Sequence, residues 1–318
     1  MQLLEKNCET RWEMGEVLTA DIAVKISDTQ LICLKSGTKI DQNVKEILER
    51  TQDIFTFKEE LASIDTLMSQ ITHDRCKTLL QKVKRFKNDP AKVFSMLFYV
   101  NEQMFLSFEA SSQNKIDLDC ANVLVDSLIY LTKYDTYHLK NSMPRLLDEY
   151  KLCVHSFNVA YYALQLGVLL GLNDDELKQL GLAGLLHDVG KKKVESVIDK
   201  NMILEMTEFE MIQKHSEYSV EILKENGIND PIVLEAILQH HERYDGSGYP
   251  KGIYKEQIGR FGSILAICDV FDAMTVERPY RDRYSSFESL RLMITDVVLK
   301  KQFNHNCIKK LLISIGTD

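Results

Sequence analysis

Several kinds of signal are scarce in this chain, and each scarcity excludes something. The seven cysteines (8, 33, 76, 120, 153, 268 and 307) are odd in number and never spaced Cys-x-x-Cys. That argues against a thiolate zinc site or a disulfide framework, and it leaves reduced thiols, some of them small core residues such as Cys268 in Ile264-Leu265-Ala266-Ile267-Cys268. Positive charge is short: 39 Lys and Arg stand against 47 Asp and Glu, a net charge of −8. No general basic field is available to hold a nucleic acid polymer, although a nucleotide pocket with local cations stays open. No run approaches about eighteen uninterrupted apolar residues, and the first residues lack a basic stretch followed by an apolar one, so a cytoplasmic protein without a membrane span is expected. Glycine is absent between Gly37 and Gly167, a span hard to build from hairpins, and helices are favoured there. That span also lacks a phosphate loop, a dinucleotide fingerprint and a phospho-receiver pattern.

What is present reads as a mainly α protein. With 318 residues, 45% hydrophobic and 27% charged, the chain can bury a core and accommodate two or three domains. Residues 1–56 mix β-branched runs at 17–24 and 31–34 with turn signals, then Asp41-Gln42-Asn43-Val44 as a capped helix start; two or three short strands and a helix form a small α/β cap. Residues 57–147 form a helical region, broken at Pro90 behind Asn88-Asp89, whose bland reading is regulation, partner binding or dimerisation. Apolar faces near residues 118–131 make a homodimer plausible. Residues 148–318 are a helical bundle in which polar residues sit on, or at the ends of, apolar helices. A helix over 150–170 carries His155. Asn173-Asp174-Asp175-Glu176 opens another, with an acidic first turn suited to the helix dipole, that runs into His187-Asp188-Val189-Gly190-Lys191. Thr207-Glu208-Phe209-Glu210 is read as a capping box leading to His215. Pro231 opens the helix that delivers His240-His241, and the apolar run 258–271 carries Asp269.

A lone histidine is more often a satisfied core or surface residue than a ligand. Five of the eight histidines, however, fall in this half near apolar helices, beside two aspartates. Burying them without a cation would require a hydrogen-bond partner for every polar atom. A shared metal centre solves that problem, and Asp188, with two carboxylate oxygens, is the natural bridging ligand. Nitrogen and oxygen donors without thiolate suit Fe, Mn, Zn or Co better than Mg or Ca. Two such metals about 3.5–4 Å apart activate a bridging hydroxide for an in-line phosphoryl displacement.

His155, His187-Asp188 and Asp269 resemble the metal signature of the HD phosphohydrolase superfamily. His240-His241-Glu242 with Gly248-Tyr249-Pro250 resembles its HD-GYP branch, the metal-dependent cyclic di-GMP phosphodiesterases, over residues 150–303. The resemblance implies two divalent ions, Fe or Mn foremost, with Zn, Co or Ni compatible. One is held by His155, His187, Asp188 and Asp269, the other by Asp188, His215, His240 and His241. It also implies that cyclic di-GMP is opened to linear pGpG and further to GMP, with Asp188 and Lys191 as catalytic residues and Lys191 on the scissile phosphate. Tyr249 would stack on a guanine, Gly246 and Gly248 would let backbone N–H groups reach phosphate, and Arg278 and Arg281 would clamp the second phosphate or guanine. Glu242 and Asp272 would orient ligands or loop. The plain alternatives are that Lys191 is an ordinary solvated lysine like Lys192 and Lys193, and that Tyr249 only packs the loop.

The chain departs from the family pattern one helical turn before His155, where members with three metals carry a glutamate. Lys151 stands there, and an ammonium on the same face would repel a third cation, so two metals are expected. Two rival functions remain: a cyclic di-GMP receptor signalling through residues 1–147, and an HD phosphohydrolase acting on another cyclic nucleotide or a guanosine alarmone. A lid formed by residues 195–206 is a further expectation.

Overall fold

The computed structural model describes residues 4–6, 14–16, 22–27, 30–34, 38–49, 53–57, 78–86, 90–134, 151–198, 205–276, 284–296 and 299–315. The chain divides into two compact units, Met1–Thr72 and His73–Asp318.

In the first unit, β1 (Leu4–Lys6), β2 (Ile22–Ser27), β3 (Gln30–Leu34) and β4 (Asp53–Phe57) form one antiparallel sheet in the order β1-β4-β2-β3, with α1 (Gln42–Glu49) between β3 and β4 in sequence. Asp41 accepts a hydrogen bond from the Val44 N–H, as the capped start predicts. The strands at both ends of the unit, β1 and β4, were not read from sequence. Three to five residues are too few to show a clear alternation.

The second unit is helical. Residues 78–85 precede α2 (Pro90–Ala110), α3 (Leu118–Tyr134), α4 (Leu152–Leu169) and α5 (Asp174–Leu186), followed by a 3-10 helix (Val189–Val194) and a short α6 (Glu195–Ile198). Then come α7 (Met206–Gln213), α8 (His215–Glu225), α9 (Pro231–Gln239), α10 (Arg260–Thr275), α11 (Ser286–Thr295), α12 (Leu299–Gln302) and α13 (His305–Ile315).

Sequence chemistry explains most boundaries. Asn173 accepts from the Asp175 and Glu176 N–H groups while Glu176 accepts from the Asn173 N–H, a reciprocal cap for α5. Asp230 caps α9 by accepting from Ile232, with Pro231 at the first helical position. The expected cap at Thr207 is displaced: α7 begins at Met206, and its reciprocal pair is Glu205 with Glu208. Glutamate is an unusual cap, so the Thr-x-x-Glu pattern was the more persuasive sequence signal.

Helix α4 is the central element, packed against α2, α3, α5, α10 and α13. It is buried on nearly every side, as a helix apolar all round must be. Its Phe157 ring meets Phe94 and Phe98 of α2 edge-on, with centroids 5.2 and 5.8 Å apart. Among the described residues it is the helix long and apolar enough to cross a membrane, but 72% of that window is buried inside the protein. On α3, Cys120, Leu124 and Leu128 are buried in the core of the helical unit. Cys153, Cys268 and Cys307 are buried free thiols, whereas Cys120 is disulfide-bonded, which corrects the expectation of reduced thiols throughout.

Candidate metal centre

Five elements bring one polar cluster into an apolar interior. His155 lies in the first turn of α4, and His187 caps the C-terminus of α5, with Asp188 next. His215 opens α8, His240 caps α9 with His241 behind it, and α10 contributes Asp269 and Asp272. His155, His187, Asp188, His215 and His240 are all buried.

Three histidines obey one local rule. His187 Nδ1–H donates to the Gly184 carbonyl at 2.8 Å, His215 Nδ1–H to Ile212 at 2.6 Å and His240 Nδ1–H to Ile237 at 2.5 Å, each acceptor three residues back. The last carbonyls of a helix have no partner within it, and a histidine just past the end supplies one. Because a carbonyl only accepts, Nδ1 carries the proton and Nε2 is left with its lone pair. His155 has no such carbonyl. Its Nδ1 donates instead to Asp272 Oδ2 at 2.7 Å, and Asn158 donates to Asp272 Oδ1 at 2.9 Å.

The freed Nε2 atoms face one another. His155 and His187 approach to 3.3 Å, as do His215 and His240, lone pair against lone pair. Between them lies Asp188. Its Oδ2 is 3.4 Å from His155 Nε2 and 3.3 Å from His187 Nε2, and its Oδ1 is 3.2 Å from His215 Nε2 and 3.7 Å from His240 Nε2. Oδ1 is buried without a hydrogen-bond partner. Asp269 spans both sides, with Oδ1 3.1 Å from His155 Nε2 and Oδ2 3.7 Å from His241 Nδ1. Lone pairs and carboxylate oxygens directed at one another are repulsive unless a cation sits among them. Two donor groups, Asp188 with His215, His240 and His241, and Asp188 with His155 and His187, each have ligand atoms close enough to share one ion. The residues fit divalent metals.

The electrostatics agree. Burial alone would push the Asp188 carboxyl up, but His187 and Lys191 and the contacts with His155 and His187 hold it well below the usual carboxylate range. Asp269 is likewise held low against burial by His155, His241 and His240. Burial, with neighbouring imidazoles, drives His240 down to about 4 and His241 well below its ordinary value, so both favour the neutral, metal-ligating form.

Around this cluster the remaining expected residues take varied positions. Lys191 donates Nζ to Asp188 Oδ2. Lys192 is not simply solvated: its Nζ donates to the Phe108 and Ser111 carbonyls at 2.7 and 2.6 Å, capping the end of α2. Lys193 pairs with Glu221 at 2.9 Å. Tyr249 stacks on His241, with ring centroids 4.7 Å apart at 29°, and burial raises its phenol. One face of that ring is therefore taken by a candidate ligand. Gly246 lies at φ +82° in the turn, and a side chain at Gly248 would meet the His241 carbonyl and Arg243 N–H at 2.4 Å, so close backbone packing requires glycine there. Buried Glu242 accepts from the Lys251 N–H at 2.7 Å and the Ile253 N–H at 3.1 Å and thereby ties down the loop that follows the histidine pair. Arg278 and Arg281 lie outside the described residues, as do residues 199–204 of the expected lid.

Two contributors escaped the sequence reading, Asn158 and Ser219. Ser219 Oγ donates to the His187 carbonyl at 2.7 Å and accepts from the Gly190 N–H at 2.8 Å, locking the His187–Lys191 turn onto α8. Asn158 is three residues from His155 and Ser219 four from His215, on the ligand faces of their helices. That spacing was the available signal.

The helical unit is thus built around a buried His/Asp cluster that could hold metal ions. A family model described as HD domain matches residues 66–297, well over half of the chain. The chain belongs to the HD domain family. It is 37% identical over 147 residues to the cyclic di-GMP phosphodiesterase PA4108 of Pseudomonas aeruginosa, covering 46% of this chain and 35% of that protein. It is 33% identical over 228 residues to the 3'3'-cGAMP-specific phosphodiesterase 2 of Vibrio cholerae, covering 66% of this chain and 43% of that protein. The chain thus spans less than half the length of both relatives. A solved structure described as Bd1817, a HDG"Y"P protein from Bdellovibrio bacteriovorus, superposes with a TM-score of 0.60 at 14% identity, over 94% of this chain and 95% of that one, and shares the fold.

Proposed function

We propose that this protein is a metal-dependent phosphodiesterase that opens cyclic di-GMP to linear pGpG and then to GMP. The observation that carries the reading is Asp188, whose two oxygens each face a different pair of histidine Nε2 atoms. His155, His187, Asp188 and Asp269 would hold one divalent ion, and Asp188, His215, His240 and His241 the other. Two ions, Fe or Mn foremost, would supply an activated water and neutralise charge on the phosphoryl oxygens.

The protein's own groups have distinct tasks. Lys191, whose ammonium lies against Asp188, swings its donor to a non-bridging oxygen of the scissile phosphate as negative charge grows there. Asp272 keeps His155 in the ligating tautomer, and Glu242 fixes the loop carrying Gly246, Gly248 and Tyr249 beside the reacting phosphate. Tyr249, held on His241, presents its edge to the substrate. Arg278 and Arg281 grip the second phosphate or a guanine. Lys151, at the start of α4, disfavours a third cation.

The test is anaerobic turnover of cyclic di-GMP by protein reconstituted with Fe or Mn, with His187→Ala/Asp188→Ala alongside and the bound metal counted. Linear pGpG or GMP from the parent alone, with two ions per chain, is the expected result. Metal-loaded protein that binds cyclic di-GMP and never cleaves it would replace the enzyme with a receptor. The relative named for 3'3'-cGAMP aligns with the larger share of this chain, which supports that dinucleotide as a second substrate for the same assay.

A further inference from the structure

One cavity of about 430 Å³ lies beside the metal centre and has no task in the chemistry above. One wall is a stripe of α2, Glu102, Phe105, Leu106 and Glu109, at the i, i+3, i+4, i+7 spacing of a single helix face. The opposite walls are Lys151, Leu152 and Cys153 at the start of α4 and Lys191, Lys192 and Glu195 in and after the 3-10 helix.

The cavity adjoins the reacting centre at two points. Lys151 is the N-cap residue of α4, whose first turn carries His155, and Lys191 bonds Asp188. A nucleotide whose phosphate is held at the histidine cluster thus has a hollow within reach of its base. Phe105, Leu106, Leu152 and Cys153 give that hollow an apolar floor, as a planar heterocycle requires. Its polar wall carries three carboxylates, Glu102, Glu109 and Glu195, beside Lys151, Lys191 and Lys192, and two of those ammonium groups are directed elsewhere, Lys191 to Asp188 and Lys192 to the Phe108 and Ser111 carbonyls. Carboxylates only accept. A ligand edge bearing two adjacent donors fits them; an edge that alternates donor and acceptor does not.

Building on the phosphodiesterase reading, we infer that this cavity is a guanine subsite, in which the base lies on Phe105, Leu106 and Leu152 and the Glu102 carboxylate accepts from its N1–H and 2-amino group. Glu102 is chosen over Glu109 because Glu109 already sits in the field of Lys192 and Glu195. Adenine offers an acceptor at N1 and no 2-amino group, so the subsite discriminates against it. Specificity for the base would then reside on α2, outside the segment that carries the metal ligands.

The test is calorimetric binding of hydrolysis-resistant phosphorothioate analogues of cyclic di-GMP and cyclic di-AMP to the Mn-loaded full chain. The parent should prefer the guanine analogue at least about tenfold, the range for one well-placed bidentate pair. Glu102→Gln places a donor against a donor while matching adenine's alternating edge, and should collapse or reverse that ratio. Leu106 is exposed, so Leu106→Trp should leave folding intact, fill the cavity and weaken both analogues. A parent that binds neither analogue overturns the phosphodiesterase reading together with the subsite. A parent that binds both analogues equally, or a ratio untouched by Glu102→Gln, overturns the subsite alone.

Discussion

His155 and His240 end up in the same cluster but are held there by opposite means. His240 stands just past the C-terminus of α9 and takes its orientation from Ile237, a carbonyl of its own last turn; His187 and His215 do the same with Gly184 and Ile212. His155 stands in the first turn of α4, where helices have orphan donors and no orphan acceptors. It must borrow Asp272 from α10, far along the chain. The difference teaches that a ligand's position within its helix decides its support. Ligands at C-terminal ends come with a built-in acceptor, and a ligand at an N-terminal end depends on tertiary structure.

The largest test of that contrast is Asp272→Ala. Removing the partner of a metal-ligating histidine typically costs 10–100-fold in metal affinity. If two ions bind as proposed, the loss should fall on the one assigned to His155 and His187, leaving the one assigned to His215, His240 and His241 within a few-fold of its parent affinity. Stepwise Mn titration by calorimetry reads both. Equal weakening of both steps would show that the cluster is one cooperative unit and that the distinction between local and borrowed support has no energetic content.

Acid sharpens the contrast from the other side, in metal-free protein. The His240 Nδ1 proton is committed to Ile237, and burial holds the second protonation down to about 4, against an ordinary 6.5. As pH falls below about 6.5 the unfolded chain takes up a proton that the folded chain refuses until about 4. Stability is therefore undiminished above the upper value and declines toward the lower, by at most about 1.4 kcal/mol per pH unit for this group. Asp188 and Asp269, held low, add their losses only below that window. Urea midpoints should drop between pH 7 and pH 5, and a flat profile would mean that His240 is not held neutral.

The same contrast explains what could be read from sequence. His187-Asp188 and His240-His241 were legible because adjacent polar residues at the end of an apolar period are conspicuous, and helix ends are where periodicity reads well. Asp269 stood out as an acid inside an apolar run, but the orienting roles of Asp272 and Glu242 came only through resemblance, since a carboxylate on or beside an apolar helix does not announce what it faces. Asn158 and Ser219 carried the i+3 and i+4 spacing but no chemical oddity, and the end of α2 gave no hint that Lys192 would cap it from residues far along the chain. The Glu102–Glu109 stripe was visible as helix spacing, yet its opposite wall is assembled from α4 and the 3-10 helix, and only folding brings them together. At α7 the more persuasive pattern lost, because Glu205 took the cap that Thr207 seemed to offer.

The smallest effect is the most discriminating. Asn158 donates to Asp272 Oδ1 at 2.9 Å while His155 occupies Oδ2, so Asn158→Ala leaves the carboxylate's charge and removes one of its two anchors. Asn158 is only partly buried, and water can replace the lost donor, so the cost should be near the low end for such a bond, about 1 kcal/mol, or about fivefold in affinity. It should appear in the same Mn step as Asp272→Ala. If Asn158→Ala matched the full Asp272→Ala loss, the aim of the carboxylate rather than its charge would be what fixes His155. If it shifted the step assigned to His215 and His240, the two sides of Asp188 would be exchanging strain through a path other than the Asp272 bridge.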